Sequence, residues 1–464
     1  MRKTLPLVLA LALAGCSFTP DYQRPATPVP ADWPVKVGAG DTAKDAAKDA
    51  ALLADWRVFF PDPRLQTLIA AALEHNRDLR IAVGRVDEAR ALAGIARADR
   101  LPTVDLAAQR AAALTPADLS GTGRQQNSQR YDVNLAVVAF ELDFWGRVKS
   151  LDDAGRANFL ASDYARQAFR LSLIADVANA WFSLLEFGER RELAAATLKS
   201  REETRTLVGR RRDVGLAGDL DYLQADGAFQ NARAEVASLA RSQAAAENAL
   251  RLLVGSAAFA AEDGKLAQPG LVVDVAAGLP SEVLLRRPDV MAAEQKLIAA
   301  NANIGAARVA FLPKIVLTAA LGTASHGLSG LFEAGSGAWS FVPALRLPLF
   351  DSGRSSDNVD LATARKTIAV AEYERTIQQA FREIADLLEA RLQLTEQLQA
   401  QDANVKAQGQ RLAIVDARYK AGVSSHLELL DAQREHFAAQ QSALAVRRQL
   451  LSTAASLYKA LALF

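Results

Sequence analysis

RYKAGVSSHLELLDAQ, residues Arg418–Gln433, folds a helix stop and a helix start into one short turn. Gly422 suits the left-handed residue that closes a helix. Ser425-His426-Leu427-Glu428 fits the S-x-x-E capping box that opens the next one. The stretch has an echo 207 positions earlier in RRDVGLAGDLDYLQAD, Arg211–Asp226. There Gly215 answers Gly422, Leu220 answers Leu427, Asp221 answers Glu428 and Ala225 answers Ala432. The chain is therefore an internal duplication, and this turn is the tip of each copy.

Working outward, the segments before the two tips contain no helix breaker. Arg147 to Arg212 is 66 residues without proline, and Arg354 to Lys420 is 67. As helices each would be roughly 100 Å long. Apolar stripes support them: Leu171, Ile174, Val177, Trp181 and Leu184 in the first, Ile377, Phe381, Ile384 and Leu388 in the second. Leu398, Val405 and Leu412 recur every seven residues, as do Leu430, Phe437, Leu444, Leu451 and Tyr458 after the tip. A heptad repeat imposes coiled-coil packing. The return helix of the first copy, Asp219–Val254, has a weaker stripe.

Further upstream, Leu65–Asp99 reads as one alanine-rich helix ended by Pro102, and its counterpart begins at Ser281. Leu101-Pro102 matches Leu312-Pro313 at an offset of 211, against 207 at the tips, so the intervening segments differ in length. Those segments alternate with period two. Val104, Leu106 and Ala108 oppose Asp105, Ala107 and Gln109; Ile315, Leu317, Ala319 and Leu321 form the matching row. On the return strands, Tyr131, Val133, Leu135, Val137 and Ala139 share one face, as do Trp339, Phe341, Pro343, Leu345 and Leu347. Apolar-out, polar-in alternation is the pattern of a membrane β-barrel, with Tyr131 and Trp339 suited to its interfacial girdle; four strands of a soluble sandwich are the alternative. The connecting loops, Leu114–Gln129 and Thr323–Gly337, are rich in polar residues and glycine.

The 464 residues carry 54 basic and 53 acidic side chains, a balance that gives no electrostatic case for nucleic acid or an acidic partner. A single cysteine excludes a disulfide framework. Met1-Arg2-Lys3 and the apolar Leu5–Ala14 run form a targeting segment too short to span a bilayer. Leu13-Ala14-Gly15-Cys16 resembles a bacterial lipobox, which implies cleavage before Cys16 and its acylation; Ser17 at the next position favours the outer membrane. A proline-rich tail and the low-complexity Gly38–Ala50 stretch follow. No catalytic constellation, nucleotide loop or metal-ligand spacing stands out, so neither an enzyme nor a cofactor is expected.

Each copy thus reads helix, strand, loop, strand, very long helix, tight turn, returning helix, with both strand loops at one end and both tips at the other. Four membrane strands cannot close a barrel, and lipid does not tolerate open edges. Two copies give eight strands, a barrel filled by its own side chains; three give twelve and leave an aqueous lumen. The expectation is a homotrimer whose helices continue the tube.

The chain resembles the outer-membrane factor family of TolC-like channels, in particular the lipoprotein branch of OprM/NodT type that serves RND efflux pumps. Four stretches carry the resemblance: the lipobox; Phe140-Glu141-Leu142-Asp143-Phe144-Trp145-Gly146-Arg147; Leu347-Pro348-Leu349-Phe350-Asp351-Ser352-Gly353-Arg354; and the tip Arg418–Gln433. It implies a mixed α and membrane-β fold: a trimeric 12-stranded outer-membrane β-barrel, four strands per protomer, continued by a periplasmic α-helical barrel with an equatorial belt. The boundaries that follow are a signal peptide over 1–15; an acylated tail and equatorial segment over 16–63; helix over 64–100; β-hairpin over 101–143; and a long helical hairpin over 144–255. An equatorial connector over 256–280 leads to the second copy, with helix over 281–311, β-hairpin over 312–350 and helical hairpin over 351–464. The implied partners are a periplasmic adaptor protein, an inner-membrane RND pump and outer-membrane lipid.

The resemblance also implies a gate, with Arg418, Tyr419, Leu427 and Asp431 on the positions of the OprM-like members and Glu428 and Asp431 where TolC-like members place acidic rings. Three symmetry-related carboxylates would attract cations and raise one another's pKa. Simpler roles stay open: Glu428 as a capping residue, Asp431 and Arg418 as complements to helix dipoles, and Leu427 as interhelical core. The turns, with Gly215, Leu216, Gly218, Gly422, Val423 and Ser425, are the expected adaptor-contact surface, although their glycines also serve simply to reverse the chain. The leading function is a passive exit duct of a tripartite efflux pump for drugs or other small toxic compounds. A type I protein-secretion channel and a periplasmic coiled-coil scaffold lipoprotein are the alternatives.

Overall fold

The computed structural model describes residues 18–31, 33, 55–256, 264–266 and 281–461. The signal peptide, Cys16, the Gly38–Ala50 stretch and most of the 256–280 connector lie outside the described residues. In chain order the elements are α1 (Trp56–Phe59), α2 (Pro63–His75), α3 (Arg77–Ala98), β1 (Val104–Thr115), β2 (Gln126–Glu141), α4 (Arg147–Asp213) and α5 (Asp219–Val254). The second copy has a 3-10 segment (Ser281–Arg286), α6 (Pro288–Arg308), β3 (Lys314–Ser325), β4 (Gly337–Arg346), α7 (Arg354–Lys420) and α8 (His426–Leu461). The chain divides into two compact units, one holding the strands and the helix segments next to them, the other holding the helical tips and the larger core.

In the strand unit, the sheet is antiparallel throughout with order β1-β2-β3-β4. Its register carries the fold. Leu106 pairs with Leu135, Leu135 with Leu321, and Leu321 with Trp339. Ala108, Val133, Ala319 and Phe341 fall on that same face, because directly paired residues and residues two apart along a strand share a side. Asp105, Ala136, Ala320 and Ser340 form one rung of the opposite face. The apolar face is exposed in the single chain, Leu106 by 74% and Trp339 by 78%, far more than water-facing strands tolerate as a continuous patch. Among the described strands β1 and β4 each have one free edge.

The period-two reading fails at one place. Ala139 does not continue the row of Val137, because a β-bulge lies between Val137 and Phe140 and Ala139 sits at φ 55°. Phe140 pairs with Leu317 and so takes the face expected of Ala139. The loops are also shorter than composition suggests. Polar residues up to Thr115 and from Gln126 onward remain paired, because both faces of a strand tip meet water and polarity costs nothing there. The same unit fastens residues 18–26 onto α6. Asn301 donates to the Pro20 carbonyl, and Arg24 forks onto the Glu294 carboxylate at 2.7 and 2.9 Å. Gly305 leaves the room that Thr19 occupies; a Cβ there would meet the Thr19 side chain.

In the helical unit, the core combines Phe59, Phe60, Leu65 and Ile69 with Ile174, Val177, Trp181 and Phe182 of α4, Leu250 of α5 and Tyr458 of α8. The stripe Leu171–Leu184 is buried as its spacing requires. The first helix is two helices rather than one. Asn76 has an extended backbone (φ −60°, ψ 130°), caps α2, and accepts the Leu79 amide with its side chain. An asparagine can end one helix and start another where an alanine-rich pattern shows no break. Its Nδ2 donates to the Leu253 carbonyl at the end of α5. The second copy repeats the bond with different chemistry. Arg287, 211 positions on, donates to the carbonyl of Ala460, 207 positions on, at 3.3 Å. Arg287 is buried and also pairs with Asp289 and Glu383.

Candidate gate at the helical tips

Both tips end their long helix by the same backbone device. In the second, the amides of Gly422 and Val423 donate to the carbonyls of Tyr419 and Arg418; in the first, those of Gly215 and Leu216 donate to Arg212 and Arg211. Gly422 and Gly215 both sit at φ 77°, the left-handed conformation this stop requires. The helix starts differ. Ser425 Oγ accepts the Glu428 amide at 3.2 Å, whereas Gly218 heads α5 with no side-chain cap.

Glu428 is half-buried with its amide in that cap. Leu427 is 63% exposed, and the space between α7 and α8 is filled instead by Val415, Leu429 and Ala432, with Leu412 and Tyr419 against them. Arg418 is exposed. Tyr419 packs on the buried ring of His426, 5.7 Å between centroids, and the Arg211 guanidinium from the first tip lies 5.8 Å from the Tyr419 ring. Burial, with Arg201 and Arg211 nearby and only Asp221 opposing them, holds the His426 pKa below its ordinary value and favours the neutral ring. Among the turn residues, Leu216 and Val423 present exposed apolar side chains, and Gly215, Gly218, Gly422 and Ser425 are exposed with them.

Asp431 is the most constrained of the expected gate residues. Arg411 of α7 donates to one carboxylate oxygen at 2.6 Å and Arg434 of α8 to the other at 2.7 Å. The hydrogen bond from Arg411, with Arg434 adding to it, holds the Asp431 carboxyl below the usual carboxylate range. That shift is opposite in sign to the one a ring of bare carboxylates would produce. Each Asp431 arrives already paired with two guanidiniums. Arg411 and Arg434 escaped the sequence reading. Arg434 was within reach as an i, i+3 partner of Asp431, but Arg411 meets it only across the folded hairpin.

The first tip places Gln224 opposite Asp431 in the duplication and holds its helices together elsewhere. Arg205 bridges to Asp226 at 2.6 Å, and Arg212 stacks over Tyr222 at 4.1 Å. Each tip thus has an ion pair between its two helices, at Asp431 in the second and at Asp226 in the first.

The family model described as "Outer membrane efflux protein" matches residues 68–256 and 279–463, one segment per copy of the duplication. The toluene efflux pump outer membrane protein TtgF of Pseudomonas putida is 44% identical over 464 residues, covering 98% of this chain and 96% of that protein. Outer membrane protein OprJ of Pseudomonas aeruginosa is 45% identical over 433 residues, covering 93% and 89%. Among solved structures, the open state of the MtrE outer membrane channel of Neisseria gonorrhoeae superposes with a TM-score of 0.86 at 36% identity, covering 96% of this chain and 98% of that one.

Proposed function

The chain belongs to the outer membrane efflux protein family, and we propose that it is the outer-membrane exit duct of a tripartite RND-type pump, passing small toxic compounds passively to the exterior. The observation that carries this reading is the sheet register, which gathers the apolar rows of all four strands on one face and leaves two free edges. Such a face suits lipid, and such edges must be paired inside it. A homotrimer meets both demands with twelve strands and an open lumen. Relatives named for toluene, solvent and antibiotic efflux support apolar, membrane-active compounds as cargo.

The energy for export comes from an inner-membrane pump, and a periplasmic adaptor docks on the turns around Leu216 and Val423. Acylated Cys16 adds a lipid anchor to the barrel. The gate is the second hairpin, with Arg418, Tyr419, Leu427, Glu428 and Asp431 on its inner rim and Arg411 and Arg434 as the clamp that keeps it shut. Domain limits follow the duplication, with residues 101–143 and 312–350 as the membrane hairpins. Reconstitution of the purified full chain in planar bilayers tests the duct directly. Discrete ohmic steps from an SDS-resistant, heat-modifiable trimer are expected. A water-soluble, non-conducting protein contradicts the proposal.

A further inference from the structure

A cavity of about 610 Å³ opens between α4, α5 and α8, inside the helical unit and above the tips. Arg201 of α4 lines it, is only 7% exposed, and makes no hydrogen bond or ion pair among the described residues. Its guanidinium keeps some solvent contact and no acceptor among the described residues, so it is a ready donor for an anion that enters the cavity. The carboxylates that line the cavity among the described residues do not serve. Asp431 has both oxygens taken by Arg411 and Arg434, and half-buried Glu235 lines the same cavity without reaching Arg201. The rest of the wall is mainly apolar, with Leu223, Leu427 and Phe437 prominent.

We propose that this cavity binds a small organic anion, its apolar body against Leu223, Leu427 and Phe437 and its carboxylate, sulfonate or phosphate head on the Arg201 guanidinium. The volume fits a drug-sized molecule, and a largely apolar wall with a few polar groups is the usual make-up of a small-molecule site; Arg434 lines the cavity too but is engaged by Asp431 and Glu435, which leaves Arg201 as the cation without an acceptor among the described residues. An inorganic anion would satisfy Arg201 but leave the apolar wall uncovered. Arg201 can offer two parallel N–H donors to two oxygens of such a head. A bound anion would touch both hairpins, α4–α5 and α8, and so favour the arrangement in which they meet. This site does not depend on conduction through the channel.

The test uses the full chain in lipid nanodiscs and 4-(trifluoromethyl)benzenesulfonate as the probe, read by ¹⁹F line broadening against empty nanodiscs. Saturable binding is expected. It should weaken at least about tenfold in Arg201→Met, as expected for loss of a hydrogen bond to a charged group, and should be retained in Arg201→Lys. Glu235→Gln should tighten it by removing a like charge beside the head group. The uncharged 4-(trifluoromethyl)benzyl alcohol should bind as weakly to the wild type as the sulfonate does to Arg201→Met. SDS-resistant trimer bands for each variant separate lost binding from lost assembly. Equal affinity of wild type and Arg201→Met for the sulfonate overturns the proposal. So does the absence of saturable binding to wild type, the result expected if a neighbouring copy or a partner's acidic side chain already fills the cavity.

Discussion

The two copies of the duplication share a backbone plan and differ in how side chains hold it. Gly215 and Gly422 stop the long helices in the same left-handed conformation, and Gly146 and Gly353 precede those helices with φ of 75° and 89°. Where Asn76 ties the first copy to the end of its return helix with a neutral amide, Arg287 ties the second with a buried charge shared by Asp289 and Glu383. Where the first tip starts α5 at an uncapped Gly218 and carries Gln224, the second starts α8 at Ser425 and clamps Asp431 between two arginines. Duplication preserved positions that only backbone geometry dictates. The charges differ: Arg287 and Asp431 of the second copy stand where the first has the neutral Asn76 and Gln224.

The largest expected difference between copies is at the junctions. Arg287→Met strands two carboxylates around a buried site and should cost about 3 kcal/mol, the low end for a broken buried pair because both acids keep some solvent. Asn76→Ala should cost about 1–2 kcal/mol, as a hydrogen bond and a helix cap. Thermal unfolding of the assembled protein checks the order, and a larger loss from Asn76→Ala would break the comparison. At the tips, Ser425→Ala should cost about 1 kcal/mol locally and speed amide exchange in the first turn of α8 roughly fivefold. Gly218→Ser should slow it in α5 by supplying the missing cap. The smallest effect concerns the β-hairpins. Ala139→Gly relieves a left-handed alanine in β2 that has no counterpart among the positive-φ residues of β3 and β4, and should stabilise by about 1 kcal/mol or less.

Acid should also loosen the second tip. The Asp431 carboxyl is held below its ordinary value, so its clamp contributes fully above the unfolded carboxylate pKa of about 3.9 and fades as pH falls through the lower folded value. Closing contacts at the second tip should therefore weaken only below about pH 4, and Asp431→Asn should mimic that state at neutral pH.

Most of the fold was legible because periodicity and proline placement are local signals. The long helices, the four strands and the shared tip follow from Arg147–Arg212, Arg354–Lys420 and the alternation around Leu106, Leu135, Leu321 and Trp339. The break at Asn76 and the bulge at Ala139 were not legible. A capping asparagine inside a helical pattern and one extra strand residue leave the composition unchanged. The candidate site was legible as far as its motif. Arg411 reaches Asp431 only across the hairpin, and Arg201 lies unpaired in a cavity that exists only once three helices have packed.

Single-channel conductance of Asp431→Ala and Gln224→Ala in planar bilayers tests the gate assignment most directly. Asp431→Ala should enlarge the basal conductance and alter its block by multivalent cations at the tip side, while Gln224→Ala should leave both near wild type. Equal effects of the two substitutions, or none from Asp431→Ala, would contradict a gate carried by the second hairpin.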